Sequence, residues 1–285
     1  MRLLFVGGTG IISRSCVRHA VALGHDVAVL NRGQRPLPDG ATALTADVRD
    51  PDALARALDG QRFDAVADFL AFTPDDVARA LDAFAPLAGQ YVFVSSASAY
   101  QKPPASLPVT ERTPRENPHW QYSRDKIACE ARLEGAPLPV TIVRPSLTYD
   151  ETMAPLVLNA WAKPYTMIDR MRRGKKVVVP GDGSSVWTVT HSEDFARGLA
   201  GLLGNPDAYG EDFHITSDEW LTWDRLYALA ADAAGADFRP VHIASDWLAA
   251  CRPEWEGTLL GDKSHSALFD NAKLRRLVPD FAARI

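Results

Sequence analysis

The chain has 285 residues, 46% hydrophobic and 24% charged, a formal net charge of -5 and a pI of about 5.8. That composition belongs to a folded globular protein able to bury a sizeable core, as one large domain or one plus a smaller lobe. The acidic balance offers phosphate backbones and anionic membranes no bulk attraction, so neither nucleic acid nor membrane is expected as a partner, and a small molecule is.

The N-terminal half alternates between two periodicities. Leu3-Leu4-Phe5-Val6 is an apolar run bounded by glycine, as in a buried parallel strand. Ile12 to Leu23 has helical spacing, and Asp26 to Leu30 reads as a second strand. Further strands are expected at Ala41–Leu44, Ala65–Phe69, Tyr91–Val94 and Val140–Val143, and helices at Pro51–Leu58, Pro74–Leu87 and around Tyr122. This order predicts an α/β fold with a doubly wound parallel sheet. The stretch Gln101 to Trp120 holds five prolines without periodicity and is expected as an ordered loop over the active site.

Beyond Pro145 the texture becomes irregular. Val177–Val179, Val186–Thr190, Phe213–Ile215 and Val241–Ile243 read as short strands, and Glu193–Leu203 and Trp223–Ala234 as helices. The expected division is a dinucleotide-binding domain over residues 1–145, joined by elements from about 175–215, and a smaller substrate-binding lobe formed mostly by residues 146–285.

Two motifs carry the chemistry. The first strand runs into Gly7-Gly8-Thr9-Gly10-Ile11-Ile12-Ser13. Gly7 suits a tight turn, and Gly10 allows the backbone to approach a pyrophosphate. Thr9, Ile11 and Ile12 supply amides at the positive end of the helix. Ser13 stands where a third glycine is usual. The second strand ends in Asn31, Arg32 and Gly33, with Arg35 nearby and no carboxylate to bond a ribose 2′-hydroxyl. A guanidinium grips a 2′-phosphate, so NADP(H) is the expected cofactor through Arg32, with Arg14 a candidate to assist and NAD(H) the alternative. Asp47 and Val48 are expected at the adenine edge, and Phe69, Leu70 and Ala71 along the cofactor channel.

The second motif is Tyr122 with Lys126, one helical turn apart. A neighbouring ammonium and a positive nicotinamide ring favour phenolate, so Tyr122 is expected as the acid/base, with Lys126 also holding the nicotinamide ribose. Ser96, at the end of a strand, is expected to hold the substrate oxygen. A Tyr-x-x-x-Lys spacing alone arises often by chance; its weight comes from the order of glycine turn, strand-end serines and helix. Seven dispersed histidines without a His-x-x-x-His pair predict no metal site. Cys16, Cys129 and Cys251 read as free thiols. No run of about eighteen apolar residues exists, and Met1-Arg2-Leu3 leads directly into a core strand, so a cytoplasmic protein without a signal peptide or membrane span is expected.

With these residues in place, the chain resembles the extended short-chain dehydrogenase/reductases of the NAD-dependent epimerase/dehydratase family. The matching stretches are Val6 to Gly10, Asp47-Val48, Phe93 to Tyr100, Tyr122 to Lys126 with Glu130, Val143-Arg144-Pro145, Pro180 to Gly183 and His191 to Asp194. The resemblance implies a seven-stranded Rossmann sheet, Ser96 as the catalytic serine, Pro145 beside the cofactor and a homodimer.

The departures are informative. Family dehydratases carry an Asp-Glu pair where this chain has Ala97-Ser98, so dehydration is not expected. Leu147 and Trp187 stand where nucleotide-sugar enzymes place an Asn and an Arg on the substrate diphosphate. Ser98, Trp161, Trp187 and His191 are then candidates to shape a pocket for another sugar-like substrate, although the tryptophans also suit core packing, and His191 with Asp194 suits anchoring a helix. The expected activity is hydride transfer between nicotinamide and a C–OH/C=O carbon of a polar substrate. The alternatives are a nucleotide-sugar epimerase with tightly held NAD and a non-catalytic redox-sensing or RNA-associated scaffold. A polar cluster of Asp262, Lys263, His265 and Asp270 has no role in any of these readings.

Overall fold

The computed structural model describes residues 1–158 and 163–284. The strands are β1 (Arg2–Val6), β2 (Asp26–Asn31), β3 (Thr42–Thr45), β4 (Ala65–Asp68), β5 (Tyr91–Val94), β6 (Val140–Pro145), β7 (Leu147–Tyr149), β8 (Val177–Pro180), β9 (Val186–Trp187), β10 (Val189–His191), β11 (Asp212–Ile215), β12 (Leu221–Thr222) and β13 (Pro240–Ile243). The helices are α1 (Ile11–Ala22), α2 (Pro51–Leu58), α3 (Pro74–Phe84), α4 (Gln121–Arg132), α5 (Thr166–Arg172), α6 (Ser192–Ala200), α7 (Trp223–Ala233), α8 (Ser245–Cys251), α9 (Glu256–Thr258) and α10 (Ala272–Leu277).

Seven of the strands form one sheet in the order β11-β6-β5-β4-β1-β2-β3, with every pairing parallel. This is the expected doubly wound sheet. Its strand order reverses between β1 and β4, and in such sheets ligands bind outside the carboxyl ends of the strands at that point. Period-two alternation divides the core into two layers. Leu3, Phe5, Val27, Val29, Phe213 and Ile215 pack against Cys16, Val17 and Ala20 of α1 and Phe195 and Leu199 of α6. Leu4, Val6, Ala28, Leu30, Val66, Tyr91 and Phe93 face the other way, onto Leu54 and Leu58 of α2, Val77, Leu81 and Phe84 of α3 and Cys129 of α4.

Local chemistry starts the helices where the motifs need them. Asp50 caps α2 by accepting from the Ala53 amide at 3.0 Å. Thr73 and Asp76 form a reciprocal capping box on α3 behind Pro74 at its first position.

A third cluster lies outside the large sheet. Met167, Ile168 and Met171 of α5, Val177 and Val179 of β8, Trp187, Trp223, Leu226, Tyr227, Leu248 and Leu259 pack together. β8 pairs with β13, away from the sheet. The strand expected over Val186–Thr190 is two strands with different partners, β9 against β12 and β10 against β7. Thr188 breaks the run because the chain leaves one small sheet for another. The helix expected to begin at Glu193 begins at Ser192 and packs α6 on the face of the large sheet beside α1. Residues 101–120 contain no regular helix or strand, yet Lys102, Val109 and Asn117 are buried, so this proline-rich stretch is an ordered strap.

Candidate active site

A cleft of about 1340 Å³ opens at the carboxyl ends of β1, β2, β4, β5 and β6. That exceeds the usual range for a single small ligand and suits a dinucleotide with a substrate beside it. Gly7, Thr9, Gly10, Ile11, Ile12 and Ser13 line one end. Gly7 has φ 114°, a conformation that favours glycine, and a Cβ there would press on Leu70 at 3.3 Å. Gly10 has an ordinary φ of -83° and caps α1, so its lack of a side chain matters for access from the cleft and not for the turn. Ser13 does more than fit: its Oγ accepts the Gly10 amide at 3.0 Å, which orders the helix start.

The site at the end of β2 is basic. Arg32 and Arg35 are exposed and line the cleft with Asn31, Ala46, Asp47, Val48 and Arg49. Asp47 is held by a fork from Arg49, Nε at 3.1 Å and Nη2 at 3.0 Å, and this bonding brings its carboxyl down to about 2. Asn31 Oδ1 accepts the Gly33 amide at 2.7 Å, while the buried Asn31 Nδ2 has no protein partner. The glycine turn, the start of α1 without a side-chain cap on its amides, the arginines and this unpaired donor fit a phosphorylated dinucleotide. One expectation changes: Arg14 is turned away to Asp150 at 2.7 Å and Glu151 at 3.0 Å, so it does not assist at a 2′-phosphate. Arg49, missed in the sequence, is the additional guanidinium there.

Further along, Phe69 and Leu70 line the channel, and Ala71 contributes its carbonyl. Buried Asp68 organises this loop by accepting from the Leu70 amide at 2.7 Å, the Ala71 amide at 3.1 Å and the Tyr91 hydroxyl at 2.8 Å. The Ala71 carbonyl then accepts from Lys126 Nζ at 2.8 Å, as does the Val94 carbonyl at 2.8 Å.

Ser96, Tyr122 and Lys126 meet in the cleft, with Ser98 and Pro145. Ser96 lies two residues past β5 and caps a one-turn helix at Ala97–Ala99. Its Oγ lies 2.9 Å from Ser98 Oγ, which in turn accepts from Ser123 Oγ at 2.8 Å, and it shares the cleft with Tyr122. Trp120 flanks the phenol, with ring centroids 5.0 Å apart. Lys126 is buried, and its Nζ lies 6.0 Å from the Tyr122 ring centroid. The electrostatics differ from the expected depression of the phenol. Burial pushes Tyr122 above its ordinary value, opposed by the nearby Ser96 side chain. Burial also lowers Lys126 to about 8, so desolvation outweighs mutual stabilisation of the two charged forms.

Below this pair, a buried network fixes the elements that carry it. Glu130 accepts from Ser95 Oγ at 2.5 Å, Arg144 Nε at 2.8 Å, Arg144 Nη2 at 2.7 Å and Arg115 Nη1 at 2.8 Å. Arg144 Nη1 reaches Tyr100 at 3.0 Å and Asp212 at 2.7 Å. β5, α4, β6, β11 and the strap are thereby joined around one carboxylate.

The opposite wall carries Ser146, Leu147, Thr148, Thr152, Met153, Pro164, Trp187, Asp262 and Lys263. Trp187 is 2% exposed, stacks on Trp223 with centroids 5.3 Å apart and donates from Nε1 to the His265 carbonyl at 2.8 Å. It serves both packing and the cleft wall. His191 is not among the lining residues. Its Nδ1 accepts the Glu193 amide at 3.3 Å at the start of α6, which is why it is turned from the cleft, and only the helix-anchoring reading fits. Trp161 lies outside the described residues. Asp262 and Lys263 enter the site from more than a hundred residues downstream of Tyr122, a distance no local pattern bridges.

A family model described as NAD dependent epimerase/dehydratase family matches residues 3–216. Among curated proteins, a 2'-dehydrokanamycin reductase of Streptomyces kanamyceticus is 31% identical over 291 residues, covering 100% of this chain and 81% of its own length. A UDP-glucose 4-epimerase of Lactobacillus helveticus is 31% identical over 150 residues, 46% of this chain and 45% of that protein. Among solved structures, the UDP-glucose 4-epimerase of Thermus thermophilus in complex with NAD matches with a TM-score of 0.76 at 20% identity, covering 100% of this chain and 94% of that one.

Proposed function

Because the chain belongs to the NAD-dependent epimerase/dehydratase family, we propose that it is an NADP(H)-preferring oxidoreductase acting on a C–OH/C=O carbon of a polar, sugar-like substrate. The observation that carries this reading is that Ser96, Tyr122 and Lys126 line one cleft together with the glycine turn.

Gly7, Thr9, Gly10, Ile11 and Ile12 cradle the pyrophosphate, Asp47 and Val48 meet the adenine edge, and Phe69, Leu70, Ala71 and Pro145 wall the channel. Lys126 donates to the nicotinamide ribose. When bound, the coenzyme supplies or accepts the hydride. Ser96 orients the substrate oxygen, and Tyr122 gives that oxygen its phenolic proton in reduction or takes the proton back in oxidation. The chain is then competent for reduction at neutral pH, since burial keeps the phenol protonated. The likeness to a reductase over the whole chain points the same way.

The sign of the pH dependence follows. The proton donor is present below the raised value and lost above it. Reduction should be flat near neutrality and fall only in alkaline solution, while oxidation should climb about tenfold per pH unit towards that value. Stopped-flow rates in both directions measure this, and an oxidation rate flat from about pH 6 to 9 would contradict Tyr122 as the base.

Coenzyme choice is tested at Arg32. Arg32→Glu should weaken NADP(H) binding about tenfold or more and leave NAD(H) binding little changed, because a charge-assisted fork to the 2′-phosphate is replaced by repulsion. Fluorescence titration reads both constants, and equal losses for the two coenzymes would remove the preference. The second reading, epimerisation on tightly held NAD, is favoured by the likeness to UDP-glucose 4-epimerase over 150 residues. It requires coenzyme retained through gel filtration and turnover with no net change in nicotinamide absorbance.

A further inference from the structure

The cleft wall facing Tyr122 contains three buried charges that hydride transfer does not use. Lys102 comes from the proline-rich strap, and Asp262 and Lys263 end a one-turn π-helical segment at Leu259–Lys263. Such segments interrupt regular winding and recur at functional sites. Lys102 Nζ lies 3.3 Å from Asp262 Oδ1, and Lys263 Nζ donates to Asp262 Oδ2. The three side chains are 1%, 5% and 9% exposed. Both ammonium groups lie over the Trp187 ring, Lys263 at 4.0 Å and Lys102 at 5.6 Å from its centroid. Of the three charged residues, Asp262 and Lys263 line the cleft and Lys102 stands behind them.

The turn is rigidly placed. Trp223 Nε1 donates to the Lys263 carbonyl at 3.0 Å. Asn117 Nδ2 donates to both the Gly261 carbonyl at 2.6 Å and the Ser98 carbonyl at 3.0 Å, so one amide group ties this segment to the serine turn that carries Ser96. Two ammonium groups against one carboxylate leave a surplus of one positive charge. A buried charge without a counter-ion is costly, and burial accordingly lowers Lys263 despite Asp262 beside it; a monoanion entering from the cleft would cancel the surplus and favour the charged lysine. An aminated substrate would meet repulsion at the same point.

We propose that Lys263, oriented by Asp262 and backed by Lys102, binds a carboxylate of the substrate, while the Trp187 ring packs beside it. The substrate class is then a hydroxy or oxo acid whose reacting carbon sits between Tyr122 and Lys263. This deepens the oxidoreductase reading and rests on it for the position of the reacting carbon, but the anion site itself is testable by binding alone.

The experiment is isothermal titration of the protein, with and without NADP+, using two acid and neutral pairs: methyl glucuronide against methyl glucoside, and gluconate against sorbitol. At least one acid should bind about tenfold or more tightly than its neutral partner, the expected effect of a charge-assisted hydrogen bond out of water. Lys263→Met should erase that preference without changing NADP+ binding, and Lys263→Arg should keep it. The proposal is overturned if neither acid is preferred, or if the preference survives Lys263→Met in protein whose melting transition is intact. If Lys263→Met fails to fold, Lys263→Gln and Lys263→Arg carry the same comparison. A preference without hydride transfer would sink the oxidoreductase reading alone, and hydride transfer without a preference would sink the anion site alone.

Discussion

Tyr122→Phe should lower turnover by about 100- to 10,000-fold while leaving coenzyme affinity unchanged. The variant removes one hydroxyl and keeps the ring that packs on Trp120, so the helix and the cleft wall persist. What disappears is the phenolic proton donor beside Ser96 in the cleft. Single-turnover kinetics with labelled hydride separates chemistry from release. A primary isotope effect that grows in the variant, with coenzyme titrations superimposable on the native protein, is the expected result. Near-native turnover would show that the proton comes from elsewhere, and the scaffold reading would gain by it.

Arg144→Met should destabilise the fold by about 3–5 kcal/mol, the cost of leaving a buried carboxylate without its partner. Burial alone would raise Glu130, but the bonds and charge of Arg144, aided by Ser95 and Arg115, hold it below the ordinary carboxylate range. Such a group contributes stability above its unfolded value, and the contribution fades as pH falls through the lower folded one. Native protein should therefore lose stability in acid, and Arg144→Met should lose much of that acid sensitivity. Glu130→Leu combined with Arg144→Met should recover much of the loss, since both charges are then gone. Urea unfolding of the native protein, both single variants and the pair measures the coupling. Additive losses would mean that the network is not a unit.

The large sheet was legible because its strands are continuous apolar runs punctuated by glycine and proline, and both faces are covered. The strands expected at Leu3–Val6, Asp26–Leu30 and Tyr91–Val94 match β1, β2 and β5, the first two each one residue longer in the structure. The small sheets outside the large one were less legible because their strands are two to four residues long and take partners far along the chain, as at β8 with β13. Most of the cleft followed from motifs at strand ends, where side chains share a location by topology. Arg14 diverged from its expected surroundings because it found a nearer partner in Asp150, while His191 sits at the start of α6 as its helix-anchoring reading has it. Asp262 and Lys263 stood in a polar cluster without a role, and only packing outside the large sheet brings Lys102 to them from the strap.

Tyr122, Lys126 and Glu130 follow one another at intervals of four along α4, so the phenol, the ammonium and the buried carboxylate share a single stripe of that helix. Their alignment is a matter of phase. One extra residue anywhere between Tyr122 and Lys126 would swing everything downstream by about 100° relative to the phenol, with no change in composition. The proline-rich strap just before the helix carries no such phase. A residue inserted between Tyr122 and Glu130, by contrast, breaks the alignment wherever it falls, which insertion scanning would trace residue by residue.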